Sequence, residues 1–314
     1  MPERVAFLGL GAIGAPMARH LASSPAFPTT LWNRTAAKAE ALARSTTPAA
    51  GTEPTRVASS PADAARGARF VVLCLPSSRE VESLLDGPQG LLAGLERGAL
   101  VIDCTSGDPA TSRRIAARLA DREVAFIDAP VSGGVAGAEK GTLAVMCGGE
   151  ARDVERARPV LETFGGKIVH CGPVGAGDAL KSVNNAFLAV HIWAAAEGLA
   201  ALEKAGVRAD VALDVINASS GRSNTSMNLF PERVLTRAFP RTFRLALLDK
   251  DVGIAAGVAR EQGVPAPLLQ LTAELFRMAH LALGEEADHV EAARVVEAWA
   301  GVEIGGDSNM RNEA

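Results

Sequence analysis

The chain has 314 residues, 48% of them hydrophobic and 22% charged, with a formal net charge of -4 at pH 7. That length exceeds one typical domain, so two domains are expected. The acidic balance gives no long-range attraction toward nucleic acid or an anionic membrane, which leaves small diffusing molecules as the natural partners.

Glu3 and Arg4 lead directly into an apolar run and a glycine cluster, which leaves no room for a signal peptide and makes a cytoplasmic location the expectation. Apolar runs then alternate with helical patterns: Val5 to Leu8, Thr30 to Trp32, Phe70 to Leu75, Leu100 to Asp103, and Val124 to Asp128. Short continuous apolar strands between helices imply a parallel sheet covered on both faces. Pro61 and Pro109 stand where their fixed φ favours a helix start, predicting helices over Pro61 to Ala65 and Pro109 to Ala120. Further strands are predicted at Leu143 to Met146 and Lys167 to His170.

At Gly172 to Gly177 the character changes, and from Asp178 onward the periodicity is helical, starting with a long helix from Asp178 to about Ala205 that ends at Gly206. The expected architecture is a doubly wound, mostly parallel α/β Rossmann domain over residues 1–166. One long interdomain helix, about 178–205, joins it to an all-helical domain over 167–304, and residues 305–314 read as a disordered tail. The longest apolar stretch, Ala186 to Leu202, contains His191 and Glu197 and is too short for a membrane span, so no membrane partner is expected.

Gly9-x-Gly11-x-x-Gly14 follows the first strand and opens a helix, the context in which this spacing signifies a dinucleotide site. The first glycine permits the turn, the second admits pyrophosphate to the backbone and the third lets helix and strand pack, so Gly9, Leu10, Gly11, Ala12, Ile13 and Gly14 are expected around the cofactor. Strand two ends Asn33-Arg34-Thr35, without the carboxylate that NAD-specific folds place there. Arg34 offers a guanidinium fork, with Asn33 and Thr35 as neutral partners, for a 2′-phosphate. NADP is therefore the expected cofactor and NAD the other possibility. The weaker reading of Arg34 is a solvated loop charge. Leu75-Pro76 and Thr105 end two further strands at the carboxyl edge, where cofactor contacts or ordinary helix caps are both possible.

Asp128-Ala-Pro-Val-Ser132-Gly133-Gly134-Val-x-Gly137 follows another strand, and its consecutive small residues can turn amides toward one point and hold a carboxylate. Lys181 and Asn185 lie four apart on the long helix and share a face of it. A lysine in this apolar helix would be partly desolvated and its pKa lowered into a useful range for proton transfer, although a helical lysine is as often a solvated surface charge. The chain has no tyrosine. The tyrosine proton donor of short-chain dehydrogenases and aldo-keto reductases is therefore absent, and another group must move the proton.

Over residues 3 to 302 the chain resembles the β-hydroxyacid dehydrogenases. Val5 to Gly14 resembles the N-terminal signature of that family, Asp128 to Gly137 its substrate signature, and Gly175-x-Gly177-x-x-x-Lys181-x-x-Asn184-Asn185 its catalytic signature. The resemblance implies that Lys181 is catalytic, that Ser132, Gly133, Gly134 and Asn185 hold substrate, and that Thr105 and Lys250 contact the cofactor. It implies a hydride transfer between NAD(P) and a small 3-hydroxy acid. Within the family the chain is most similar to members acting on 3-hydroxyisobutyrate, which form methylmalonate semialdehyde in valine catabolism, through Ile216 to Ser223 among other stretches. Ile13 departs from the methionine common there and keeps an apolar contact.

Tartronate or succinate semialdehyde reduction, serine or threonate oxidation, imine reduction and a non-catalytic dinucleotide sensor are the alternatives. Imine-reducing relatives usually replace the lysine, and a sensor would not need Lys181, Asn185 and the Ser132 loop together. The four cysteines lack metal spacing and read as reduced core thiols. His20, His191, His280 and His289 read as solvent-facing or core-edge helical residues, His170 ends a strand, and no metal is expected. The Ala-rich helices suggest a homodimer or homotetramer.

Overall fold

The computed structural model describes residues 3–46 and 53–306, so of the predicted tail only Gly305 and Gly306 are described and the rest lies outside. The chain divides into two compact units, Met1–Lys181 and Ser182–Ala314. The division falls fifteen residues beyond the expected boundary at 166 (181 − 166), because Gly165–Gly172 is a strand of the sheet and the turn after it hydrogen-bonds back to that sheet's edge.

In the first unit the strands are β1 (Val5–Leu8), β2 (Thr29–Trp32), β3 (Arg56–Val57), β4 (Phe70–Leu73), β5 (Leu100–Asp103), β6 (Ala125–Asp128), β7 (Val131–Ser132), β8 (Leu143–Gly148) and β9 (Gly165–Gly172). They form one sheet in the order β3-β2-β1-β4-β5-β6-β8-β7, with β9 paired to β8. Strands β1 to β6 pair in parallel, while β8 runs antiparallel to β6 and β7 and parallel to β9. β3 and β7 have two residues each, too few to show any periodicity, and the sequence pattern misses both.

The continuous apolar strands bury alternate residues into two separate cores. Val5, Phe7, Phe70, Val72, Leu100 and Ile102 pack on one side of the sheet. Ala6, Leu8, Val71, Leu73 and Val101 pack on the other. The covering helices are α1 (Gly14–Ala22), α2 (Ala36–Ser45), α3 (Pro61–Ala65), α4 (Ser78–Ser83), α5 (Pro109–Ala120), α6 (Gly134–Lys140) and α7 (Ala151–Leu161). The two proline-led helices start where the sequence places them, with Ser60 accepting from Asp63 N and Asp108 from Thr111 N as side-chain caps.

Helix α8 (Ala176–Lys204) has 29 residues and carries the unit boundary within it. In the second unit it is followed by α9 (Ala209–Asn217), a π-helical segment (Thr225–Val234), α10 (Leu245–Glu261), α11 (Pro267–Leu283), a 3-10 turn (His289–Glu291) and α12 (Ala292–Ala300). Gly206, at φ +86°, ends α8: its amide donates to Glu203 O and that of Val207 to Leu202 O, the paired bonds of a left-handed C-cap.

α8 is the one helix among the described residues long and apolar enough to cross a membrane, which corrects the shorter span read from Ala186 to Leu202. One side of it is taken up by protein, while Leu180 and Phe187 stay exposed. Ala186, Ala189, Ile192, Trp193, Ala196, Leu199 and Ala200 are buried in the core of the second unit with Phe230, Leu248, Phe276 and Val296.

Candidate active site

The glycine loop closes β1 onto β4 and α1. A Cβ on Gly9, which sits at φ +104°, would meet Cys74 O at 2.2 Å, and one on Gly14 would meet Gly9 O at 2.1 Å. Gly11, by contrast, has nothing within 4 Å of where its Cβ would stand. The outer glycines are thus demanded by packing, and the middle one leaves the backbone open to a bound group. Helix α1 starts after Ile13 with no side-chain cap; Ala15 N donates to Gly11 O and Met17 N to Ile13 O, so it is the positive helix end behind the glycine loop that favours an anion. These features fit a dinucleotide pyrophosphate.

The end of β2 sorts its three residues differently from the sequence reading. Asn33 is already bonded within the protein. Its Oδ1 accepts from Leu10 N at 2.9 Å and its Nδ2 donates to Thr35 O at 3.0 Å, tying the glycine loop to the start of α2. Arg34 and Thr35 are exposed, α2 begins at Thr35 without a side-chain cap, and its first turn holds no acidic residue. A guanidinium and a helix start therefore flank the place where a ribose phosphate would sit.

Thr105 is also a tie. The residue is 1% exposed; its hydroxyl accepts from Leu75 N at 3.1 Å, while its own amide donates to Asp103 Oδ1 at 3.0 Å. It joins the loop after β5 to the loop after β4, where Leu75 is half-buried and Pro76 exposed.

At the end of β6, Asp128 is fully buried, beside Asp103 in the parallel register. Its Oδ1 accepts from Gly175 N at 2.7 Å and its Oδ2 from Asp178 N at 2.9 Å, so it caps α8 from another strand. Ser132 ends the two-residue β7, and Gly133 and Gly134, both at positive φ and exposed, start α6. Lys181 is buried, 8% exposed, on the second turn of α8.

One turn earlier, Asp178 is 2% exposed; its Oδ1 accepts from Gly107 N at 3.0 Å and its Oδ2 from Ser112 Oγ at 2.6 Å. Burial, then the Asp128 carboxylate, raises the Asp178 carboxyl well above its ordinary range, and burial raises Asp128. Asp178 had no sequence signal beyond its place in the Gly175 to Lys181 motif.

In the second unit, Asn185 is 4% exposed and donates from Nδ2 to Asp251 Oδ2 at 2.6 Å. Lys250 Nζ lies 2.8 Å from Asp251 Oδ1. Asp251 thus joins two side chains that the sequence singled out, with no sequence signal of its own. Lys181 and Asn185 share α8, with the unit boundary between them.

The remaining candidates play structural parts. Cys104 and Cys147 are buried and Cys74 and Cys171 half-buried, all free, and burial raises Cys74 and Cys147 to about 12. His289 is buried at 4% exposure in the 3-10 turn rather than at a helix surface. His20 bonds the last carbonyls of α6, Ala138 O and Glu139 O. A surface hollow of about 350 Å³ in the second unit is lined by Glu197, Lys204, Val296 and Trp299, and none of the candidate residues borders it.

Residues 4–172 match the family model of the NAD binding domain of 6-phosphogluconate dehydrogenase, and residues 175–296 match the NAD-binding model of NADP-dependent 3-hydroxyisobutyrate dehydrogenase. The chain is 36% identical to the NAD-dependent L-serine dehydrogenase of Pseudomonas aeruginosa, over 88% of this chain and 92% of that protein. It is 35% identical to the 3-hydroxyisobutyrate dehydrogenase of the same organism, over 87% and 91%. A solved Mycobacterium tuberculosis 3-hydroxyisobutyrate dehydrogenase with L-serine superposes with a TM-score of 0.82 at 31% identity, covering 94% of this chain and 99% of that one. With the glycine loop, the Ser132 loop and the buried Lys181 in place, the chain belongs to the β-hydroxyacid dehydrogenases and is an NAD(P)-dependent oxidoreductase of that family.

Proposed function

We propose that the protein interconverts a small 3-hydroxy acid and its semialdehyde with NADP, the acid being 3-hydroxyisobutyrate and the product methylmalonate semialdehyde. The observation that carries this reading is the burial of Lys181 one turn after Asp178, whose carboxylate is bonded to Gly107 in the loop that also holds Thr105. A buried amine at the carboxyl edge of a nucleotide fold suits proton transfer to or from an alcohol.

When bound, the nicotinamide ring supplies the hydride acceptor. Lys181, as the free amine, would take the proton from the hydroxyl oxygen as hydride leaves the carbon that bears it, and as ammonium would return that proton to the oxygen in reduction. The amides of Ser132 to Gly134 would hold the substrate carboxylate. The chain contributes mainly position. Exposed Arg34 and Thr35 at the uncapped start of α2 support NADP as the preferred cofactor.

L-serine is the second reading for the substrate, supported by the near-equal identity to the serine and hydroxyisobutyrate enzymes, 36% and 35%. The deciding experiment is a kcat/KM panel of 3-hydroxyisobutyrate, 3-hydroxypropionate, glycerate, serine and threonate with each nicotinamide cofactor. A higher kcat/KM for serine than for 3-hydroxyisobutyrate overturns the first assignment, and no reduction of either cofactor by any acid overturns both.

A homodimer or homotetramer forms part of the same proposal. Val211 and Val215, one turn apart on α9, and Leu268 and Leu271 on α11 are each at least half exposed, apolar area that a second copy would cover. A monomer mass in light scattering refutes it.

A further inference from the structure

We propose that Asp178 is a positioning residue for the hydride transfer, acting through Lys181. With Asp128 it forms a brace that locks the first turn of α8 to the loops after β5 and β6. The inference rests on the reading of Lys181 as the proton-transfer group.

All four oxygens of the two carboxylates have work in this arrangement. Asp128 receives the amides of Gly175 and Asp178, fixing the start of α8 to the end of β6, four residues before Ser132. Asp178 receives the Gly107 amide and the Ser112 hydroxyl, fixing the same turn to the loop that carries Thr105 and to α5. Lys181 stands three residues, close to one helical turn, beyond Asp178. The lysine, the Thr105 loop and the strand leading to Ser132 are thus referred to one pair of carboxylates.

The surrounding backbone is shaped for them. A Cβ on Gly107 would stand 2.9 Å from Asp178 Oδ2, one on Gly148 2.5 Å from Asp128 Oδ1, and one on Gly177 2.9 Å from Asp128 Oδ2 and 2.1 Å from Met146 O. Side chains at these glycines would push the carboxylates away from their donors. Two adjacent buried carboxylates cost free energy that an apolar pair would avoid, so their presence calls for a function other than packing. What they supply is fixed distance between three segments, and misplacing a catalytic group by about 1 Å costs up to about 100-fold in rate.

The test measures kcat, hydroxy-acid KM and NADP Kd for Asp178→Ala, Asp178→Asn, Ser112→Ala and Lys181→Ala, at a temperature well below each Tm, where a purely structural loss leaves kcat unmoved. Asp178→Ala is expected to lower kcat by about 10- to 100-fold with KM and Kd within about threefold. Asp178→Asn keeps an acceptor for Gly107 and a polar partner for Ser112, and is expected to recover most of that loss. Ser112→Ala removes one of the bonds to Asp178 and is expected to lower kcat by a smaller factor; it carries the test alone if Asp178→Ala does not fold.

Unchanged kcat in the folded alanine variants, a rise of KM or Kd that accounts for the loss, or no recovery in Asp178→Asn overturns the brace. If Lys181→Ala loses turnover while Asp178→Ala keeps it, only this inference fails. If Lys181→Ala itself turns over normally, the underlying reading fails with it.

Discussion

Asn185 and Lys250 converge on opposite oxygens of one carboxylate, that of Asp251, at 2.6 and 2.8 Å. The Asn185 amide is further fixed by Asn184, whose Nδ2 donates to Asn185 Oδ1 at 3.2 Å. Asp251 is 2% exposed, so its charge is held by these partners rather than by water. Asp251→Ala is expected to remove this tie from both side chains and the carboxylate from beside Lys250. A hydrogen bond to a charged group contributes about 1.5–3 kcal/mol, so kcat/KM for the hydroxy acid should fall by about 10- to 150-fold with a lower Tm. Steady-state kinetics beside a thermal melt checks both, and an unchanged kcat/KM would detach Asp251 from the site.

Lys181→Ala is expected to lower turnover by orders of magnitude while NADP still binds, because the glycine loop and Arg34 do not depend on it. Fluorescence titration with NADP and single-turnover reduction separate the two effects. Near-normal turnover would remove the lysine from the reaction.

Arg34→Ala is expected to raise KM for NADP by about 10- to 100-fold and to leave KM for NAD within about threefold, since NAD lacks the 2′-phosphate that the guanidinium would bind. Equal change for both cofactors would make Arg34 a general surface charge.

His280 links α10 to α11 in the second unit, with Nδ1 2.8 Å from Asp249 Oδ2 and Nε2 3.2 Å from Glu285 Oε1. The Asp249 bond first, then that of Glu285, against an opposing burial effect, raises the imidazole above its ordinary value of 6.5. A raised folded-state pKa gives stability that is fully present below the unfolded value and is lost as pH rises through the folded one. Thus His280→Gln should lower Tm most below about pH 6 and make little difference near pH 9. A Tm difference that grows with pH would reverse the assignment.

The sheet was legible because its parallel strands are buried on both faces and therefore read as unbroken apolar runs, as at Val5–Leu8 and Leu100–Asp103. The glycine fingerprint was legible for a related reason: Gly9 and Gly14 leave no room for a Cβ, so packing alone dictates them. β3 and β7 were not legible, since two residues carry no pattern, and neither was the π-helical turn at Thr225–Val234, whose register differs from an α-helix by one residue. The site was half legible. Lys181, Asn185, Ser132 and Arg34 stand out by chemistry in an apolar or glycine-rich context. Asp178 and Asp251 are bonded to partners distant in sequence, 71 residues away at Gly107 and 66 at Asn185, and the bond by which Asn33 ties two loops spans 23 residues.

With no tyrosine in the chain, ultraviolet emission comes from three indoles. Trp32 is half-buried at the end of β2, next to Asn33 and Arg34 in the first unit. Trp193 and Trp299 stack edge-on at 5.7 Å in the second, with Trp299 61% exposed. The native chain is therefore its own two-channel optical probe. Replacing Trp32 by phenylalanine leaves a signal that reports the helical unit alone, and replacing the other two leaves one that reports the nucleotide fold, so unfolding of each part can be followed without attaching a dye.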